Sequence, residues 1–121
     1  MKNLESQIKN IYDEATSLLK DLLQDYIKIE EIMRGNTGLT TKFATAQKFE
    51  KLKGPFEVTQ IVNSKLLNVC TDKDRANVIK SNPTVKDSYE AYLWYVEEVE
   101  YQYPHTKGAV EVFNRDIIIE R

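Results

Sequence analysis

Cys70 and His105 are the only cysteine and the only histidine in the chain, so any thiol–imidazole chemistry must use that pair. Such a pair works when a third group orients the imidazole and the thiolate lies within hydrogen-bond reach of it. No local motif links the two. Cys70 ends the apolar run "LLNVC" and reads as a small buried hydrophobe, while His105 follows Pro104 in a stretch that reads as a loop. One Cys and one His also fall short of the three or four N/S ligands of an ordinary zinc site. Asp72 and Asp74 form a D-x-D that could hold Mg²⁺ through phosphates. Their place in the first turn of a predicted helix explains them better, because carboxylates there oppose the positive end of the helix dipole. The four glycines are scattered, so neither a Walker loop nor a G-x-G-x-x-G is present. The terminal "DIIIER" has the acids of a nuclease D…E-x-K pattern without its lysine. No catalytic residue, metal or cofactor is expected, and the chain reads as a binding protein.

The residue types that remain are suited to binding. "SYEAYLWYVEEVEYQY", residues 88–103, holds the only Trp, five of the seven Tyr and four Glu. From Asp87 to Pro104 there are five acidic residues and no basic one. Within it Val85, Tyr89, Tyr92, Val96, Val99 and Tyr103 recur at 4, 3, 4, 3, 4, a helical seam. Counted from that seam, the outermost line is Asp87, Trp94 and Tyr101, with Glu90, Glu97 and Glu98 beside it. An indole left in water forgoes roughly 2 kcal/mol or more of burial, so its position demands a cover. Two covers are open. The helix is buried on both faces, by a long helix on one side and a C-terminal hairpin on the other. Alternatively Trp94 and Tyr101 anchor a partner, since Trp and Tyr dominate interface energetics, and the carboxylates select and steer a basic one.

The elements that would position this face begin with residues 3–33. Leu4, Ile8, Ile11, Ala15, Leu18, Leu22, Tyr26, Ile29 and Met33 form a heptad seam with one stutter between Leu22 and Tyr26. Arg34 and Gly35 mark its stop, Gly35 as a residue suited to a left-handed cap. About 31 residues make a rod of roughly 46 Å, whereas a compact domain of this size has a radius of gyration near ~14 Å. The rod therefore kinks near the stutter or pairs with another chain. Residues 1–35 read as an oligomerisation segment, through Leu4, Ile8, Ile11, Leu18, Leu22, Tyr26 and Ile29, and 36–121 as a small α+β domain.

In that domain "TKFATAQKFEKLK" (41–53) reads as a short helix ended by Gly54-Pro55. "FEVTQIV" (56–62) alternates like a strand. Residues 71–81 read as a short helix capped by Thr71 with Asp74 at the third position. Asn82-Pro83 opens the second long helix, 83–103, and Pro104 closes it; the rival is a strand in "VEYQY", whose β-branched and aromatic content suits a sheet. "AVEVF" (109–113) and "DIIIE" (116–120) read as a hairpin. The expected fold is thus α+β and helix-dominated, with a small antiparallel sheet.

Composition sets the remaining limits. A 41% apolar and 30% charged chain of net charge -2 is an ordinary globular domain without the basic field that holds nucleic acid. Lys42, Lys48, Lys51 and Lys53 read as a solvated helix face. A single cysteine leaves no intramolecular disulfide. The start "MKNLESQIKN" lacks the apolar core of a signal peptide, and no apolar run approaches a membrane span. A cytoplasmic protein is expected. Lysine outnumbers arginine 13 to 4, as in the AT-rich genomes of many bacteria and their phages. The expected function is a non-enzymatic, oligomeric module that docks the acidic aromatic face on a basic protein. A phage-type inhibitor of a host or defence nucleic-acid enzyme, in the manner of an anti-CRISPR protein, fits it. The alternative is an assembly subunit built through the first helix.

Overall fold

The computed structural model describes residues 3–35, 38–52 and 54–120, with side chains as far as Gln102. Every element in it is a helix: α1 (Leu4–Arg34), α2 (Leu39–Glu50), α3 (Pro55–Val69), α4 (Asp72–Ser81) and α5 (Pro83–Glu120). Short polar side chains start α1, α4 and α5 by accepting otherwise orphaned N–H groups. Asn3 Oδ1 accepts from Ser6 N at 2.7 Å. Thr71 Oγ1 accepts from Asp74 N at 3.1 Å, which places Asp72 and Asp74 in the first turn of α4. Asn82 Oδ1 accepts from Thr84 N and Val85 N, at 3.0 and 3.3 Å, ahead of Pro83 at the start of α5. Gly35 ends α1 with φ -79, in extended rather than left-handed backbone, and its N–H reaches Glu31 O at 2.9 Å.

α1 is the spine. Its buried line is Ile8, Tyr12, Ala15, Leu19, Leu22, Tyr26, Ile29 and Met33, at 4, 3, 4, 3, 4, 3, 4. This is an unbroken heptad with no stutter. It differs from the expected seam at two points: Tyr12 replaces Ile11 and Leu19 replaces Leu18. Ile11 and Leu4 are half-buried beside the line, and Leu18 is 50% exposed.

What covers the spine is chiefly α5, and the two helices run parallel. Asp13 accepts a hydrogen bond from Ser88, and the Lys20 ammonium stands 5.6 Å from the Tyr95 ring centroid. The step between these contacts is seven residues on both helices. α2 returns along the C-terminal half of α1, where Phe49 packs on Tyr26 with centroids 5.6 Å apart. α3 returns along the N-terminal half, with Lys65 3.4 Å from Glu14 and Val58, Val62 and Leu66 buried. α4 then packs on the start of α5.

Three sequence expectations are overturned. The fold is all-helical, not α+β: no strand occurs among the described residues. The strand expected at 56–62 is the first half of α3. Val58, Val62 and Leu66 recur every four residues, and Gly54-Pro55 opens this helix, with Gly54 N–H donating to the Glu57 carboxylate at 2.7 Å. The C-terminal hairpin and its antiparallel sheet are replaced by the continuation of α5 through Pro104 to Glu120. An interior proline costs a helix about 3 kcal/mol, because it cannot donate to the carbonyl four residues back.

Candidate functional site: the outer face of α5

The inner line of α5 explains its outer one. Val85, Ser88, Tyr92 and Val99 are buried, and Tyr89, Tyr95 and Val96 are half-buried. Their anchor is Tyr12 of α1, 1% exposed. Its ring meets Tyr89 edge-on at 5.3 Å and Tyr92 at 5.3 Å and 41°, separations typical of stabilising aromatic pairs. The Tyr92 hydroxyl reaches Thr59 Oγ1 of α3 at 3.4 Å. Burial pushes the Tyr12 hydroxyl above its ordinary pKa, against the Arg75 guanidinium, which donates to it at 3.4 Å. Burial would also raise Asp13. Hydrogen bonds from the Lys9 ammonium (2.6 Å) and the Ser88 hydroxyl, with the charge of Lys9, outweigh it and hold that carboxyl low.

With its rotation set by these contacts, α5 turns Asp87, Glu90, Trp94, Glu97 and Tyr101 to solvent, and leaves Glu98 half-buried. Trp94 is 55% exposed and Tyr101 77%. The indole packs edge-on against its neighbour Tyr95 with centroids 4.7 Å apart, which stiffens it without covering it. Leu93, 38% exposed, adds apolar area beside it. Glu90 lies 3.9 Å from Lys86, and Glu98 accepts from Gln102 Nε2 at 3.4 Å. The face is therefore an exposed aromatic line flanked by carboxylates, on a helix held from the other side. The hairpin that was one possible cover for Trp94 does not exist.

The α1 residues singled out for self-association lie elsewhere. Ile8, Leu22, Tyr26 and Ile29 are inside the chain's own core, Leu4 and Ile11 are packed at its edge, and Leu18 is at the surface. The rod that seemed too long for its domain has a second rod alongside it.

The Cys70 thiol is half-buried and donates to Leu66 O at 3.5 Å. Burial, followed by the charge of Asp74, raises its pKa, so the reactive thiolate is scarce. His105 lies outside the residues whose side chains are described. Among the described residues no three acidic, Cys or His side chains converge as a metal site would require, and no helix is long and apolar enough to cross a membrane. Sequence reasoning missed Leu93, and missed Tyr12 as the residue that orients α5. The signal for Tyr12 was available: the spacing 12, 15, 19, 22, 26, 29, 33 is a cleaner heptad than the one with a stutter. Compared with family models, curated proteins and solved structures, the chain matches none.

Proposed function

We propose that the protein is a non-enzymatic binding module that docks the outer face of α5 on a basic protein surface. The observation that carries this reading is the exposure of Trp94 and Tyr101 on one line of a helix whose opposite line, Val85, Ser88, Tyr92 and Val99, is buried. More than half an indole in water forgoes about 2 kcal/mol of burial. A partner that covers it recovers that energy, and Trp and Tyr are the commonest hot-spot residues. The flanking carboxylates, Asp87, Glu90, Glu97 and Glu98, favour a partner rich in Lys and Arg and speed its approach. The phosphate-binding surface of a nucleic-acid enzyme has that character, which is why a phage-type inhibitor of such an enzyme remains the finer form of the proposal. Assembly through α1 has lost its physical motive, since α5, α2 and α3 cover the buried line of α1 within the chain.

The test uses Trp94 as its own reporter, because it is the only Trp. Free protein should emit as a wet indole and be quenched by acrylamide. Wild-type protein immobilised in a lysate of its source cells should retain a basic protein at low salt. Trp94→Ala should retain about 30-fold less, the equivalent of ~2 kcal/mol. Glu97→Lys with Glu98→Lys should slow capture. A shielded, unquenched indole in the free protein, or identical capture by wild type and both variants, would sink the proposal.

A further inference from the structure

Away from the Trp94 face, α4 and α5 meet in a cleft of about 240 Å³ lined by Arg75, Ala76, Ile79, Lys80, Lys86 and Tyr89. Its chemistry is uneven. Ala76, Ile79 and the Tyr89 ring make an apolar floor. Three cations, two from α4 and one from α5, stand around it, and no carboxylate is among the lining residues. This occurs in a chain with more acidic than basic residues.

Two of the three cations have partners within the chain. Lys86 is 3.9 Å from Glu90. Arg75 is 3.8 Å from Asp72, whose side chain is 86% exposed, and 3.4 Å from the Tyr12 hydroxyl. The exposed Lys86–Glu90 pair contributes about 0–1 kcal/mol and is readily exchanged, whereas Arg75 is held on its inner side by the buried Tyr12 hydroxyl. Arg75 Nε is also buried with no hydrogen-bond acceptor. Lys80 alone has a local reason to be where it is, in the last turn of α4 at the negative end of its dipole.

We propose that this cleft binds a small organic phosphate monoester carrying an apolar group. The phosphate would sit between Lys80, Lys86 and the Arg75 guanidinium, whose planar fork suits phosphate oxygens. The apolar group would lie on Ala76, Ile79 and the Tyr89 ring. The volume is below the roughly 300–1,000 Å³ of ordinary small-molecule pockets, so the body is no larger than about one ring. Because Tyr89 also packs on Tyr12, a ligand here would touch the contact that sets the rotation of α5.

The probe is phenyl phosphate, titrated into the full chain and followed by amide chemical shifts. Saturable shifts confined to residues 75–80 and 82–90 are expected. Inorganic phosphate should bind several-fold more weakly, and phenol should leave the cleft unshifted. Lys80→Gln with Lys86→Gln, both exposed and away from the core, should weaken phenyl phosphate at least tenfold while circular dichroism stays unchanged. Arg75→Lys should weaken it as well, by keeping charge and removing the fork. Shifts that do not saturate, that spread over the lysines of α2, or that persist in the double variant would overturn the site. Inorganic phosphate binding as tightly as phenyl phosphate would overturn the apolar part of the assignment.

Discussion

Leu18 and Leu19 are adjacent, identical in chemistry and opposite in environment, and so they test the spine directly. Leu19 is 0% exposed and Leu18 is 50% exposed. Truncating a fully buried leucine loses its transfer energy and leaves a cavity that neighbours fill only in part, at about 2–5 kcal/mol. Leu18→Ala removes the same three carbons where half the side chain already meets water. No cavity forms, and the loss is about 1 kcal/mol or less. With a urea slope of about 2 kcal/mol per molar, Leu19→Ala should lower the unfolding midpoint by about 1–2.5 M, and Leu18→Ala by about 0.5 M or less. The slope itself should be unchanged in both. Equal losses would refute the unbroken heptad. A large loss at Leu18 that shrinks on dilution would reveal a second chain covering it, because the stability of an associated state depends on protein concentration.

Other predictions come from the same contacts. The Tyr12 hydroxyl has a folded pKa above its unfolded value, so its contribution is complete below about pH 10 and is lost as pH rises through the folded value. Wild-type protein should lose stability above pH 10, and Tyr12→Phe should flatten that fall in denaturant midpoints measured against pH. Asp13 is shifted the other way. Its contribution is present above the ordinary carboxylate range and disappears in acid, so Asp13→Asn should reduce stability at pH 7 and converge with wild type as pH falls through the lowered Asp13 value. Thr71→Ala removes the α4 cap and should cost about 1 kcal/mol, read as a lowered thermal midpoint. Trp94→Ala, on an exposed site, should change that midpoint far less than Leu19→Ala does.

What the sequence made legible follows from how local each signal is. The caps at Thr71 and Asn82, the start of α5 at Pro83 and the full length of α1 were readable because each depends on a few neighbouring residues. The outward position of Trp94 was readable because the inner seam around Tyr92 and Val99 is regular. The sheet was misread for a different reason. "FEVTQIV" and "DIIIE" are rich in β-branched residues, and short apolar runs of that kind carry both periods at once. For α3 the deciding signal was the Pro55 and Glu57 start, which was taken as the end of α2. For α5 it was the expectation that Pro104 stops a helix, whereas the helix runs through it to Glu120. The Ile11 and Leu18 reading failed because Tyr12 was not considered a core residue, although its ring packs the centre of the bundle. The cleft between α4 and α5 had no sequence signal, since Arg75, Lys80 and Lys86 converge only when the two helices fold back at Asn82.

That fold-back bears on how the α5 face would act. A binding face is more effective when its order does not have to be established on contact, because ordering side chains and backbone costs affinity. Here the inner line of α5 is engaged with Tyr12, Asp13 and Lys20 over one heptad, and Trp94 already rests edge-on against Tyr95. The indole is therefore presented by a stiff platform, and a partner would add burial while ordering little. The same arrangement means that the face and the spine cannot be tuned separately. A change at Tyr12 would rotate or loosen α5 and weaken binding through Trp94 without touching it. Tyr12→Ala should thus reduce partner capture beyond what its loss of stability explains, with Trp94 emission unchanged in wavelength but less protected by the partner. If capture by folded Tyr12→Ala equals that of wild type, the outer face does not depend on the inner one, and Trp94 recognises its partner as an isolated side chain.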